Sequence, residues 1–113
     1  MEVTSESLRG TRVIAIAGEI DLSSVGDVQT HIDAAFADGE SLLVIDLEHV
    51  PFLDSSVLHA LVRALHRARL AGGGMALVCV DPGIRRMLDV FGLAGQIPIC
   101  DDVSQAAAAL AGE

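Results

Sequence analysis

The sequence predicts an α/β fold: a mixed, mostly parallel five-stranded sheet with helices packed against it, in the order β-β-α-β-α-β-α-β-α. Three observations carry this. Two β-rich stretches open the chain, separated only by Arg9-Gly10-Thr11, which reads as a hairpin. After them, short apolar runs alternate with stretches whose apolar residues recur every three or four positions. Each of those stretches opens on Ser or Asp, and the first three close on Gly, as helices are capped and stopped.

The elements follow in order. Glu2 to Leu8 is the first strand. Arg12 to Ala17 is the second, with β-branched Val13, Ile14 and Ile16. Gly18-Glu19-Ile20-Asp21 leaves that strand, and Ser23-Ser24 offers a helix N-cap. Val25, Val28, Ile32, Ala35 and Phe36 then share one helical face, with Asp27 in the first turn, and Asp38-Gly39 stops the helix. Ser41 to Leu47 is apolar almost throughout, the pattern of a strand buried on both faces.

The next helix starts at Asp54-Ser55-Ser56. Leu58, Leu61, Val62 and Leu65 form its apolar stripe, and His59, Arg63, His66 and Arg67 the opposite one. Gly72-Gly73-Gly74 ends it, and Met75 to Val80 is a fourth strand. Asp81-Pro82 is an N-cap followed by Pro at the first helical position, with Ile84, Met87, Leu88 and Phe91 as the buried face. Gln96 to Cys100 reads as a fifth strand. Asp102 with Gln105 makes a capping box for a last, Ala-rich helix through Leu110. Residues 1–113 are expected to form one domain, since a chain of 113 residues can bury a core without staples.

Composition excludes several functions. The chain is 51% hydrophobic and 20% charged, which is globular rather than disordered. A net charge of −9 argues against a nucleic-acid partner, which needs clustered cations; all seven basic residues are arginine. With no Trp or Tyr and three Phe, stacking on bases or sugars is not expected. No apolar run reaches the length of about 18 residues that a membrane span needs. The N-terminus lacks the basic and apolar regions of a signal peptide, so a cytoplasmic location is expected. Cys79 and Cys100 have no metal-ligand spacing. They read as buried small residues, or as a redox-sensitive pair if their strands are neighbours.

Function in open α/β sheets gathers beyond the carboxyl ends of the strands. Those ends carry Asp21, Asp54-Ser55-Ser56, Asp81 and Asp101-Asp102. Taken singly, helix capping explains each acid. Asp21 and Asp54-Ser55 stand out because both should lie at the same end of adjacent strands. A hydroxyl at a helix N-terminus lies among unpaired backbone N–H groups and the positive end of the macrodipole, a place that tolerates a phosphate. Ser55 is therefore either a cap or a switch. Ser55, His59 and Asp21 are residue types used in nucleophilic catalysis, but Gly-x-Ser-x-Gly is absent and no acid is placed beyond His59, so an enzyme is not expected. Gly72-Gly73-Gly74 lacks the Lys-Ser/Thr of a phosphate-binding loop. Paired acids are Mg²⁺-type ligands, yet no phosphate-bearing substrate site accompanies them; no metal or other cofactor is expected. The His59, Arg63, His66 and Arg67 stripe is a solvated face or a contact for an acidic partner. Arg85-Arg86, in the first turns of a helix where cations are slightly unfavourable, is a further contact candidate.

At these residues the chain resembles a known family, the STAS domain, and within it the bacterial anti-sigma-factor antagonists. The resemblance runs over nearly the whole sequence. It rests on Gly18-Glu19-Ile20-Asp21, Val44-Ile45-Asp46-Leu47, Val50-Pro51-Phe52-Leu53-Asp54-Ser55-Ser56 and Phe91-Gly92-Leu93. It implies the STAS fold and phosphorylation at Ser55. It further implies a partner that is both an anti-sigma factor and a serine kinase, bound while Ser55 is unmodified, and a PPM-type phosphatase that resets the switch. The contact surface expected around Ser55 comprises Asp21, Asp54, Ser56, Val57, Leu58, His59, Arg63 and Arg86, on a monomer. One departure is Val57, where the family motif usually has Gly. Val adds bulk and stiffens the first helical turn. That departure favours an alternative: a STAS subunit that does not switch, as a scaffold in a stress-signalling assembly or an accessory subunit of a lipid transporter complex.

Overall fold

A computed structural model of the protein describes residues 2–20 and 24–112. Strands β1 (Glu2–Leu8) and β2 (Thr11–Ala17) form an antiparallel hairpin in which Leu8 faces Thr11. The two-residue turn between them has positive φ at both positions, 53° at Arg9 and 86° at Gly10. That is the turn whose twist matches a two-stranded ribbon. Helix α1 (Val25–Ala37) follows, with Ser24 at its N-cap position; Ser23 lies outside the described residues. Then come β3 (Leu42–His49), α2 (Ser55–Leu70), β4 (Gly74–Val78), α3 (Pro82–Val90), β5 (Ile99–Cys100) and α4 (Val103–Leu110).

The sheet order is β1-β2-β3-β4-β5, with β1 antiparallel and the other pairs parallel. Each crossover therefore steps one strand in the same direction. Right-handed crossovers then place α1, α2 and α3 on the same face. The packing agrees. One cluster joins Ile14, Leu43, Ile45 and Leu77 to Val28, Leu61 and Leu88 of those helices. A smaller cluster on the other face joins Val13, Val44, Ala76 and Val78 to Ala106 of α4. Alternate β3 residues feed the two clusters, which explains its continuous apolar run.

The glycine run after α2 has a steric cause at one position. A Cβ on Gly73 would stand 2.0 Å from the carbonyl oxygen of Ser41, which accepts the Gly74 N–H. No other residue fits where these two backbones meet.

The structure corrects the sequence reading in three places. The fifth strand is only Ile99–Cys100; the chain before it forms a 3₁₀ turn at Leu93–Gly95, anchored by buried Leu93 and Ile97. Phe91 is not part of the buried face of α3: it caps that helix and is 40% exposed. The cysteines are neighbours across the sheet, Cys79 just past the end of β4 and Cys100 in β5, with the Cys79 N–H donating to the Cys100 carbonyl at 3.0 Å. Yet Cys79 packs into the α1–α3 core and Cys100 against the α4 cluster. Their thiols point to opposite faces of the sheet and both are free.

Candidate functional site

The carboxyl end of the sheet is tied together beyond its regular strands. The ladder between β2 and β3 shifts register between Ala15 and Ala17, and the Gly18 N–H donates to the His49 carbonyl at 3.0 Å. Further out, Ile20 and Leu53 form an isolated parallel bridge, both fully buried. The residues that immediately follow them in sequence are Asp21 and Asp54. Asp21 lies outside the described residues; its neighbour Ile20 is held beside Leu53.

Leu53 points into the core while Phe52, one residue earlier, is 54% exposed. The alternation delivers Asp54 to the start of α2. Asp54 is the N-cap: its Oδ1 accepts from the Ser56 N–H at 3.0 Å and the Val57 N–H at 3.4 Å. The Ser56 hydroxyl donates to the same oxygen at 2.5 Å. The cap at this helix start is therefore supplied by Asp54 and not by Ser55. Ser55 is the first residue of the helix, exposed, and its hydroxyl has no hydrogen-bond partner among the described residues. The N–H groups of Ser56 and Val57 are not open for an anion, as the sequence had implied, since the Asp54 carboxylate already occupies them.

The expected contact residues among those described separate into three groups. His59 and Arg63 lie exposed on the outer face of α2, and Arg86 is exposed on α3. Ser56 and Asp54 are half-buried and bonded to one another. Val57 and Leu58 are corrections, each 0% exposed and part of the main core. Helical spacing explains this: positions 57 and 58 fall on the stripe that continues through Leu61 and Leu65. The bulk of Val57 therefore points away from the surface that Ser55 presents.

Two neighbours of the contact candidates are structural. Arg67 donates to Asp33 of α1 at 2.5 Å and lies over the Phe36 ring, 4.3 Å from its centroid, so it clamps α1 to α2. Arg67 as the leading cause, with Gln29, holds the Asp33 carboxyl below its ordinary range. Arg85 donates to the Cys79 carbonyl at 2.6 Å and to Asp101 at 2.7 Å, fastening α3 to the ends of β4 and β5.

Two aromatic residues that the sequence did not single out as contacts belong to this surface. The Phe91 ring meets the His59 ring edge-on, with centroids 6.2 Å apart. Phe52 is exposed three residues before Ser55. The available signal was scarcity: with three Phe in the chain, one in a Pro-bearing turn beside Asp-Ser-Ser was a candidate. Among the described residues, no group of three or more His, Cys, Asp or Glu could hold a metal ion, and no helix is long and apolar enough to cross a membrane.

Comparison with known proteins gives a consistent answer. The chain is 29% identical over 103 residues to an anti-sigma F factor antagonist of Paenibacillus polymyxa, covering 90% of this chain and 88% of that protein. It superposes on an anti-sigma factor antagonist of Mycobacterium paratuberculosis with a TM-score of 0.87 and 29% identity, covering 96% and 92% of the two chains. The phosphorylated form of the Bacillus cell fate determinant SpoIIAA shares the fold, with a TM-score of 0.75 and 22% identity over 94% and 96%. The STAS domain pattern matches residues 2–106, which hold the whole sheet and the Asp-Ser-Ser start of α2, and the chain belongs to the STAS domain family.

Proposed function

We propose that the protein is an anti-sigma-factor antagonist acting as a cytoplasmic monomer, switched by phosphorylation of Ser55. With Ser55 unmodified it binds an anti-sigma factor that is also a serine kinase, and a sigma factor is released for transcription. Transfer of the γ-phosphate of the kinase's ATP to the Ser55 hydroxyl ends the interaction, and a PPM-type phosphatase restores it. In this reading the protein is a binding module and the chemistry belongs to its partners. One observation carries it: the Ser55 hydroxyl is exposed and, among the described residues, unbonded at a helix start whose cap is supplied by Asp54.

The surface offered to the partner is Phe52, Ser55, His59, Arg63, Phe91 and Arg86, with Asp54 and Asp21 as presenting acids. Val57 and Leu58 leave the contact set because they are buried. The non-switching alternative drew on Val57, and its buried side chain removes the bulk that would keep a kinase away.

Phosphorylation adds about −1.5 to −2 charges. The helix dipole stabilises such an anion by roughly 0.3–1 kcal/mol, and Asp54 opposes it by a similar amount. Folding is thus nearly unchanged, whereas an interface must desolvate the new charge. A 100-fold loss of affinity needs only about 2.7 kcal/mol, within the range for one misplaced charge in an interface.

The test is intact-mass measurement after incubation with ATP and each candidate anti-sigma kinase, with Ser55→Ala alongside. One added phosphate on the wild type, absent from Ser55→Ala, is expected. Binding to a kinase without phosphate transfer would refute the switch and leave the non-switching reading.

A further inference from the structure

We infer that His59 is the counter-ion of the phosphate carried by Ser55, holding it against the outer face of α2. The inference deepens the proposed phosphorylation and rests on it. Its starting point is that the usual anion cradle is already filled.

A phosphate at a helix N-terminus ordinarily takes the free backbone N–H groups. Here the N–H groups of Ser56 and Val57, and the Ser56 hydroxyl, all donate to Asp54 Oδ1. The cradle thus holds a carboxylate, and that carboxylate repels a second anion. With those two N–H groups taken, a phosphate on Ser55 looks to nearby side chains for its counter-charge.

On a helix the neighbours of a residue are those three and four positions on, with Cβ atoms about 5–6 Å apart. For Ser55 these are Leu58 and His59. Leu58 is wholly buried, and His59 is exposed. Arg63 is two turns away, about 12 Å along the axis at 1.5 Å per residue. Arg67 is committed to Asp33, and Arg85 to Asp101 and the Cys79 carbonyl. No acid hydrogen-bonds or ion-pairs with His59 among the described residues.

The surroundings favour the pair. From α3 the contact to His59 is the edge of the Phe91 ring, an apolar neighbour that limits where the imidazole swings without competing for its N–H groups. On its own helix the flanking charged groups are Asp54 at the cap and Arg63 one turn beyond, with Arg67 and Arg69 further along, and α3 carries exposed Arg86; these arginines add to the cationic side. Phosphoserine and histidine both change charge between about pH 5 and 8, so the pair is strongest where imidazolium and phosphate dianion coexist. Formation of the pair also withdraws His59 from the partner surface, so one modification changes two contact residues.

The experiment places phosphoserine at position 55 of the full chain during translation, by stop-codon suppression, so no kinase is needed. Phosphorus-31 spectra are recorded from pH 4 to 9 for the wild type, His59→Gln and His59→Arg. A nearby cation favours the dianion. The midpoint for loss of the second phosphate proton is therefore expected about 0.3 pH unit lower in wild type than in His59→Gln. The difference should shrink in 1 M salt. His59→Arg, a permanent cation, should lie at or below the wild type. Coincident low-salt midpoints for wild type and His59→Gln would overturn the inference, as would a His59→Arg midpoint equal to that of His59→Gln. A failure to find any kinase for Ser55 would instead count against the proposed function and leave this result standing.

Discussion

Ile20 and Leu53 pair outside the regular ladder, both fully buried, and they fasten together the two loops that leave β2 and β3. Leu53 is also the residue that sets which way Phe52 and Asp54 face. Truncating it removes the core anchor under the start of α2 and leaves a cavity. Leu53→Ala is expected to cost about 2–5 kcal/mol, read as a drop in the urea midpoint. A loss under 1 kcal/mol would show that the loop is held some other way.

Asp54 combines two roles that a pair of substitutions separates. As an N-cap it contributes about 1 kcal/mol, which Asp54→Ala removes. Asn caps about as well as Asp, so Asp54→Asn should keep stability within a few tenths of a kcal/mol while removing the charge. If the carboxylate also takes part in recognition, both variants weaken binding of the proposed anti-sigma partner by calorimetry, and Asp54→Asn does so without the loss of stability. Equal stability losses in both variants would contradict the capping geometry.

Val57→Gly tests whether the family's usual glycine is compatible with this core. The Val57 side chain is completely buried, worth about 1.5–3 kcal/mol on burial, and Gly in a helix costs about a further 1 kcal/mol. A destabilisation of about 2.5–4 kcal/mol is expected in denaturant unfolding. Because the residue contributes nothing to the surface, affinity for the proposed anti-sigma partner, measured well below the unfolding transition, should not change. A gain in affinity would return Val57 to the contact set.

The order of elements and the parallel sheet were legible because each helix combines apolar periodicity with a capping-type residue at its start, and Asp54, Asp81 and Asp102 do cap their helices. Asp81 accepts from Gly83 and Ile84, and Asp102 from Gln105, as the sequence indicated. Ser55 was legible as a position but not as a state. Whether it caps or stands free depends on which of three adjacent polar residues takes the cap, and periodicity is silent on that. Val57 and Leu58 were misread because closeness to Ser55 in sequence outweighed their place on the apolar stripe. Phe91 was misread because its spacing continues that of Ile84 and Leu88 beyond the end of a helix that stops at Val90. The face on which each cysteine lies needs the strand register, which two residues of β5 cannot reveal from sequence.

The cysteines give a prediction of inertness. Burial raises the Cys79 thiol above its ordinary range, so little thiolate is available to react. Native alkylation should therefore modify Cys100 before Cys79. Mild oxidation should leave the intact mass without the loss of two hydrogens, because the two side chains lie on opposite faces of the sheet. An intramolecular disulfide in the folded protein would mean that β5 shifts from its present register.

Acid sensitivity follows from two carboxylates at the other end of the molecule from Ser55 and along the α1–α2 seam. Glu40 accepts from the Ser7 hydroxyl at 2.7 Å and from Arg12 at 2.8 Å, and these bonds, Ser7 first, hold its carboxyl below the ordinary range. Asp33 is lowered in the same direction, chiefly by Arg67. A carboxyl depressed in the folded state stabilises it above the unfolded value, near pH 4, and that contribution is lost as pH falls through the folded value. Stability should thus be flat from pH 7 to about 5 and decline below about 4.5. The Asp33–Arg67 pair is about half exposed and screened by solvent, whereas the Glu40 side chain is 13% exposed. Most of the slope should therefore come from Glu40. Urea midpoints measured from pH 7 to pH 3 should fall less steeply in Ser7→Ala combined with Arg12→Met than in the wild type. The double variant should already be weaker at pH 7, since it starts without those contacts. Parallel slopes in the two proteins would show that the acid response is set by other carboxylates.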